Sequence, residues 1–243
     1  MSAHGDKKNG TVEPVSVILI AHNEIATIEK DVTDYYRIVA EKIPGSELIV
    51  TEDGSTDGTS EKLREMAECL PIRLIQSEER KGYIPALLDA LKLSTGEWIV
   101  FSDTGGKFDP GDFWKMEPER AKGDLIIGVK VNRQDQVYRQ IMTRAFNWVI
   151  RLYFKIPVHD IDSGLRIYRK ELLFRAISTP LILKDMIATE ITLRMIAVGG
   201  VLREVPVSYS SRVGKSRGMP PKKIPRVICQ VLASFPRLRK EMD

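Results

Sequence analysis

Residues 15–24 read Val-Ser-Val-Ile-Leu-Ile-Ala-His-Asn-Glu. The first seven form a β-rich apolar run without a charge, bounded by Pro14 on one side and by the polar pair His22-Asn23 on the other. A strand that is apolar in both phases is buried on both faces, as in a parallel sheet covered by helices. The sequence downstream agrees. Ile25, Ile28, Val32, Tyr35 and Val39 recur at helical spacing and predict an amphipathic helix to about Lys42, stopped by Pro44-Gly45. The same unit then recurs, with strands predicted over 47–51, 72–76 and 98–102 and helices over 58–69 and 84–94. Strands alternating with helices predict an α/β architecture, a central and mostly parallel sheet flanked by helices and joined by right-handed crossovers.

Beyond residue 107 the pattern loosens. A helix is predicted over 112–121 and a strand over 125–129. Val137, Ile141, Ala145, Trp148 and Leu152 share one face of a long helix, and Ile187, Ile191, Met195 and Val198 mark another before a strand over 201–207. Residues 208–223 are polar, basic and rich in Gly and Pro, and predict a loop. We read a single domain over 14–218, with a regular half (14–107) and an irregular half (108–218) and no linker between them. A flexible N-terminus (1–13) precedes it and a basic amphipathic helix (219–243) follows.

The chain of 243 residues is long enough to bury a real core, and 43% apolar with 29% charged residues is a soluble globular mix. Cys69 and Cys229 are too few for a disulfide scaffold and lack zinc spacing, so a reducing compartment is expected. No signal-peptide pattern opens the sequence. No apolar run approaches the ~18 residues of a membrane span, so any membrane contact is expected to be peripheral or through a partner. The net charge is +4, but residues 211–243 carry +7 and the remainder −3. The expected anionic partner therefore belongs at the C-terminal end. It is not expected to be nucleic acid: aromatics are 7% and do not interleave with the basic residues.

Ligands of open parallel sheets bind outside the carboxyl ends of the strands. Those ends carry His22-Asn23-Glu24, Glu52-Asp53-Gly54-Ser55, Arg80-Lys81-Gly82 and Asp103-Thr104-Gly105-Gly106. There is no Walker pattern, no Gly-x-Gly-x-x-Gly after the first strand and no Gly-x-Ser-x-Gly elbow, which excludes P-loop, dinucleotide and α/β-hydrolase readings. His4, His22 and His159 are too scattered for a metal centre.

The opening 15–24 segment, followed by Glu-Asp-Gly-Ser-Thr-Asp-Gly-Thr at 52–59, resembles family 2 glycosyltransferases of the GT-A fold. Asp160-Ile-Asp-Ser-Gly-Leu-Arg166 and the late Ser211-Arg212-Val-Gly-Lys215-Ser segment are similar to motifs of the dolichyl-phosphate mannose synthase branch. The resemblance spans about 14–218, and the order of the three motifs is its most specific feature. It implies that 14–107 holds a nucleotide sugar and 108–218 an acceptor. Ala21, Asn23, Glu24 and Asp53 would hold base and ribose, with a helix-entry turn as the plainer reading of Asp53; Asp57 reads as a helix cap. Lys81 would neutralise phosphate, or is simply a solvated charge beside Arg80.

Asp103 stands where the family has Asp-x-Asp holding Mg²⁺ or Mn²⁺ against the diphosphate. Here the triplet is Asp103-Thr104-Gly105, with Lys107 two residues on. Three readings are open. Asp103 alone binds the metal, with water and phosphate completing the shell; Lys107 replaces part of the metal's charge; or the domain has lost catalysis. The first, with Lys107 and Thr104 assisting at the donor, is the expectation adopted.

For the acceptor, Arg139, Arg144, Ser163, Arg166, Arg212 and Lys215 are the candidate phosphate ligands, Arg139 and Arg144 having a solvated helix face as the alternative. Asp160 and Arg166 join Asp103 as catalytic candidates, and Asp162 is either a base or a turn residue. Trp148, Tyr153 and Phe154 read as core. The expected reaction is inverting transfer of a hexose, with GDP-mannose as first donor, to a polyprenyl or dolichyl phosphate. A soluble hydroxyl acceptor and a non-catalytic scaffold are the rivals. The expected location is the cytoplasmic face of a membrane, reached through the C-terminal helix or a membrane partner. That helix carries Ile224, Val227, Ile228, Val231, Leu232, Phe235 and Leu238 on one stripe, and docking on the domain is its other reading.

Overall fold

The computed structural model describes residues 12–131, 137–183, 185–210 and 224–242. The flexible N-terminus predicted over 1–13 lies almost entirely outside them, as do Arg133, Arg212, Lys215 and most of the predicted 208–223 loop. The first half follows the predicted alternation: β1 (Val15–Ala21), α1 (Ile28–Ile38), β2 (Glu47–Asp53), α2 (Thr59–Cys69), β3 (Ile72–Ser77), α3 (Tyr83–Leu93) and β4 (Trp98–Asp103). Strands β2 and β4 run further than predicted, so Glu52, Asp53 and Asp103 are strand-end residues held in the sheet.

The second half departs more. The helix predicted over 112–121 is a single α-turn, α4 (Phe113–Met116), between two 3₁₀ turns, with Pro118 interrupting it. There follow β5 (Leu125–Val131), α5 (Val137–Phe154), β6 (Leu165–Arg169), α6 (Lys170–Ala176), α7 (Ile187–Ala197), β7 (Leu202–Ser208) and α8 (Ile224–Met242). β6 and α6 escape the sequence reading, because β6 is five residues long and two of them are arginines.

All seven strands form one sheet in the order β3-β2-β1-β4-β6-β5-β7. The sheet is mostly parallel, as expected, but β6 runs antiparallel to both β4 and β5. Alternate residues of each strand feed two cores. Val17 and Leu19 face α1 and α2, while Ile18, Ile49, Ile99 and Phe101 face α3 and the helices α5 to α8.

α5 presents the opposite face from the one its stripe suggests. Asn147, Ile150 and Phe154 are buried, whereas Val137 is 71%, Ile141 58%, Trp148 57% and Leu152 58% exposed. Trp148 and Tyr153 are therefore not core residues, while Phe154 is. The helix is apolar on two sides, and periodicity alone does not say which side faces in. α8 docks on the domain: Val227, Val231, Phe235 and Leu238 are buried, with the Phe235 ring 5.0 Å from those of Tyr153 and Phe154. Ile228 and Leu232 of the same stripe stay exposed, and Pro236 lies inside the helix without ending it.

Candidate active site at the strand ends

Strand order reverses between β1 and β4, and there the loops part to leave a crevice at the carboxyl edge. The loop after β1 is stapled to the one after β2. Asn23, at φ 54°, donates its backbone N–H to Ser55 Oγ at 2.8 Å and accepts the Thr56 N–H on Oδ1 at 2.7 Å. Glu24 N–H donates to Thr59 Oγ1 at 2.7 Å, and the His22 ring meets the Asp53 carbonyl at 2.7 Å. Asp57 accepts from the Thr59 and Ile25 amides, but from the position before the N-cap, which is Gly58 rather than Asp57. Ala21, Asn23, Glu24 and the 52–59 segment thus form one braced rim, in which Ala21 and Glu24 are buried.

Asp53 is buried, and its carboxylate is filled by its own chain. Oδ1 accepts the Lys81 N–H at 2.7 Å, and both oxygens accept the Gly82 N–H at 3.0–3.1 Å. The direct base or ribose contact read from the sequence is corrected accordingly: Asp53 positions the 80–82 loop. Gly54 allows the close approach, since a Cβ there would lie 2.4 Å from Arg80 N at φ +63°. Lys81 is exposed and reaches Asp89 at 3.7 Å.

At the end of β4, Thr104 donates its hydroxyl to the Ile20 carbonyl at 2.9 Å, so it braces β1 rather than a ligand. The Gly105 and Gly106 amides donate to Asp31 Oδ2 at 2.8 and 3.2 Å. Asp31 belongs to α1 and went unnoticed in the sequence. Burial raises its carboxyl above the usual range, with the two amides pulling it back. Lys107 Nζ lies 2.9 Å from Asp103 Oδ2. On the other side Gly164 presses against Asp103: a Cβ there would be 2.3 Å from Oδ2.

The 160–166 segment sorts differently from its motif reading. Arg166 is fully buried in β6. Its Nε donates to the Ser163 carbonyl at 2.6 Å, Nη1 to the Ala188 carbonyl and Thr192 Oγ1 at 3.1 and 2.7 Å, and Nη2 to the Ile161 carbonyl. Ser163 is buried and donates its hydroxyl to the Gly128 carbonyl. Both are buried with these polar groups spent on the chain itself, and both lie along the wall of the cavity that holds Asp103 and Asp162. Asp160 is also buried, 3.4 Å from Lys130 Nζ, while Glu204 accepts its N–H at 3.1 Å and that of His159 at 2.7 Å. The carboxylate that faces open space is Asp162. The surrounding protein pushes it up to about 6, Lys130 and Arg166 oppose that, and Asp103 and Asp160 add to it. Solvent reaches the side chain, which is exposed, and tempers the rise.

Two cavities meet at Asp103 and Asp162. One, of about 400 Å³, is walled by Tyr83, Phe101, Gly164, Tyr168 and Asp185. The other, of about 470 Å³, is a groove between α5 and α8, lined by Met142, Phe146, Val227, Val231 and Leu232, with Lys130 and Arg139 also on its wall. Arg139 is thus at the site. Arg144 is exposed and lines neither cavity, which favours the helix-face reading. Among the described residues, no three His, Cys, Asp or Glu side chains converge as a metal centre. No helix among them is long and apolar enough to cross a membrane.

The family model for glycosyl transferase family 2 matches residues 16–174. Dodecaprenyl-phosphate galacturonate synthase of Rhizobium johnstonii is 31% identical over 132 residues, covering 52% of this chain and 39% of that protein. Glycosyltransferase AglD of Haloferax volcanii is 30% identical over 167 residues, 65% of this chain and 27% of that protein. The chain therefore spans well under half the length of either relative. In three dimensions it resembles glucosyl-3-phosphoglycerate synthase from Mycobacterium tuberculosis, solved with Mn²⁺, UDP and glucosyl-3-phosphoglycerate. The TM-score is 0.71 at 20% identity, over 97% of this chain and 86% of that one, and the likeness bears on the fold.

Proposed function

This chain belongs to glycosyl transferase family 2, and we propose that it transfers a hexose from a nucleotide sugar to a polyprenyl phosphate at a membrane surface. The observation that carries the reading is the meeting of two unlike cavities at Asp103 and Asp162. An apolar groove with Lys130 and Arg139 on its wall matches a molecule that is hydrocarbon with one anionic end. The relative from Rhizobium johnstonii is named for a polyprenyl phosphate, which supports the same class of acceptor.

A phosphomonoester has its second pKa near ~6, so the attacking oxygen is already anionic at neutral pH. No proton has to be removed, and the groove's task is alignment: Lys130 and Arg139 hold the phosphate while its oxygen faces the anomeric carbon. The new C–O bond forms from that oxygen as the bond to the donor diphosphate breaks, and the electron pair leaves with the diphosphate. One direct displacement inverts the anomeric centre. Asp162, beside both reactants, is placed to accept a hydrogen bond from a sugar hydroxyl.

A divalent ion of the kind present in the solved neighbour would, in this chain, fall to Asp103. The residues present do not suit one. Asp103 Oδ2 already holds the Lys107 ammonium, the next acidic position of the family triplet is Gly105, and Asp160 is paired with Lys130. The steps above are therefore assigned to the chain's own side chains.

The test is a panel of nucleotide sugars, GDP-mannose first, incubated with the protein and a polyprenyl phosphate, with the lipid product weighed by mass spectrometry. A glycosyl-phospholipid is expected with at least one donor. Transfer only to a soluble hydroxyl acceptor would reject the lipid reading.

A further inference from the structure

We propose that the ammonium of Lys107, fixed on Asp103, takes the place of a divalent ion and carries the negative charge of the donor's diphosphate during transfer. The proposal rests on the reading of a nucleotide-sugar donor given above. It starts from what the turn after β4 lacks. Thr104 and Gly105 supply no second carboxylate, the threonine hydroxyl is spent on the Ile20 carbonyl, and the two glycine amides are spent on Asp31. The backbone of this turn is therefore rigidly held, yet its side chains offer a cation one oxygen pair only, that of Asp103.

Lys107 already engages one oxygen of that pair, Oδ2. It sits four residues beyond Asp103, 2.9 Å from Oδ2, with its side chain 21% exposed. A dication seated on Asp103 would meet this positive charge within a few ångströms, where like charges in a partly dry site repel strongly. Without a metal the arrangement is self-consistent. Asp103 fixes the ammonium at the strand end, 2.9 Å from Oδ2. Gly164 locks Asp103 from the other side, because no side chain fits between them. A fixed cation aimed at a leaving anion stabilises the transition state without reorganising. Lys107 donates hydrogen bonds to the β-phosphate oxygens as the glycosidic C–O bond breaks. It keeps its proton throughout, so the electron pair simply stays on the departing diphosphate.

The experiment is calorimetric titration of the full chain with GDP and with UDP, once in EDTA and once in excess Mg²⁺ or Mn²⁺. At least one diphosphate is expected to bind in EDTA, with its Kd changed less than about threefold by either metal. Lys107→Ala is expected to weaken diphosphate binding about tenfold or more, with the matching nucleoside monophosphate little affected and Lys107→Arg restoring most of the loss. A purely structural lysine would not discriminate between diphosphate and monophosphate. Binding that disappears in EDTA and returns with metal overturns the inference while leaving the donor reading intact. So does a Lys107→Ala variant that binds diphosphate like the wild type. If neither diphosphate binds under any condition, the nucleotide-sugar donor itself is wrong, and the inference falls with it. The EDTA comparison on the unmodified protein stands even if a variant does not fold.

Discussion

Asp162 shows how one residue's surroundings set its titration. Its carboxyl is raised, first by the protein around it, to about 6. Between its ordinary value of 3.8 and that figure the folded chain holds more of its proton than the unfolded chain does. Stability from this group is thus complete below the unfolded value and is lost as pH rises through the folded one. Asp162→Asn removes the titration while keeping the shape. The gap in Tm between variant and wild type is expected to move in favour of the variant on going from about pH 4 to about pH 7, by a modest amount because the side chain is wet. A gap that stays constant across that range rejects the raised carboxyl. Asp53, at the end of β2, is a buried acid that accepts backbone amides of the 81–82 loop. Of the two, the open one lines both cavities and the filled one builds the loop.

Among the elements, β6 is the least obvious and the most consequential. It inserts antiparallel between β4 and β5, brings Gly164 against Asp103 and buries the Arg166 guanidinium among carbonyls of 161–163 and α7. Arg166→Met would leave those carbonyls without a donor in a dry interior. A loss of about 3 kcal/mol in denaturant unfolding is expected, along with loosening of the 160–164 loop. A loss near zero would mean that the loop holds itself. The same element marks the limit of what the sequence discloses. The first four strands were legible because each has an apolar, β-rich centre and the first three are followed by a helical period, and periodicity is a local property. β6 was not, since a buried arginine inside a five-residue strand reads as surface until its carbonyl partners, one of them 22 residues away, are known. The site was legible in the same measure. Asp103, Lys107 and Arg139 lie where the strand ends and helix placed them. Asp31 was invisible because its amide partners come from 74 residues downstream. The motif put Asp160 ahead of Asp162 as a catalytic candidate, whereas the loop buries Asp160 beside Lys130 and leaves Asp162 open, an orientation that no local pattern discloses.

At the scale of the molecule, the apolar residues left outside are concentrated on one side. Val137, Ile141, Trp148 and Leu152 are spaced by four, seven and four residues on α5, with Arg144 between them on the same face. Ile228 and Leu232 of α8 stand exposed across the groove. The C-terminal helix therefore has a divided role: its inner stripe closes the core, and it adds only a few residues to a surface whose greater part is α5. An apolar stripe flanked by arginines, beside the groove proposed above for a lipid phosphate, suits a protein lying on a bilayer. Each large apolar side chain buried contributes about 1.5–3 kcal/mol, so losing two of them should lower vesicle binding by roughly tenfold or more. Ile141→Ser with Trp148→Ser is the variant, and co-sedimentation with anionic phospholipid vesicles is the measurement. Neither residue belongs to a core cluster, so melting temperature is expected to hold. In the wild type, vesicles should shift Trp148 emission to the blue, with Trp148→Phe identifying that signal against Trp98 and Trp114. The stripe would serve instead as an interface between two copies of the chain if sedimentation showed a dimer in the absence of lipid and vesicles left both sedimentation and emission unchanged. A monomer that binds vesicles and loses them with the double substitution places the acceptor groove at the bilayer surface, where a phosphate at the end of a hydrocarbon chain can enter it without leaving the membrane.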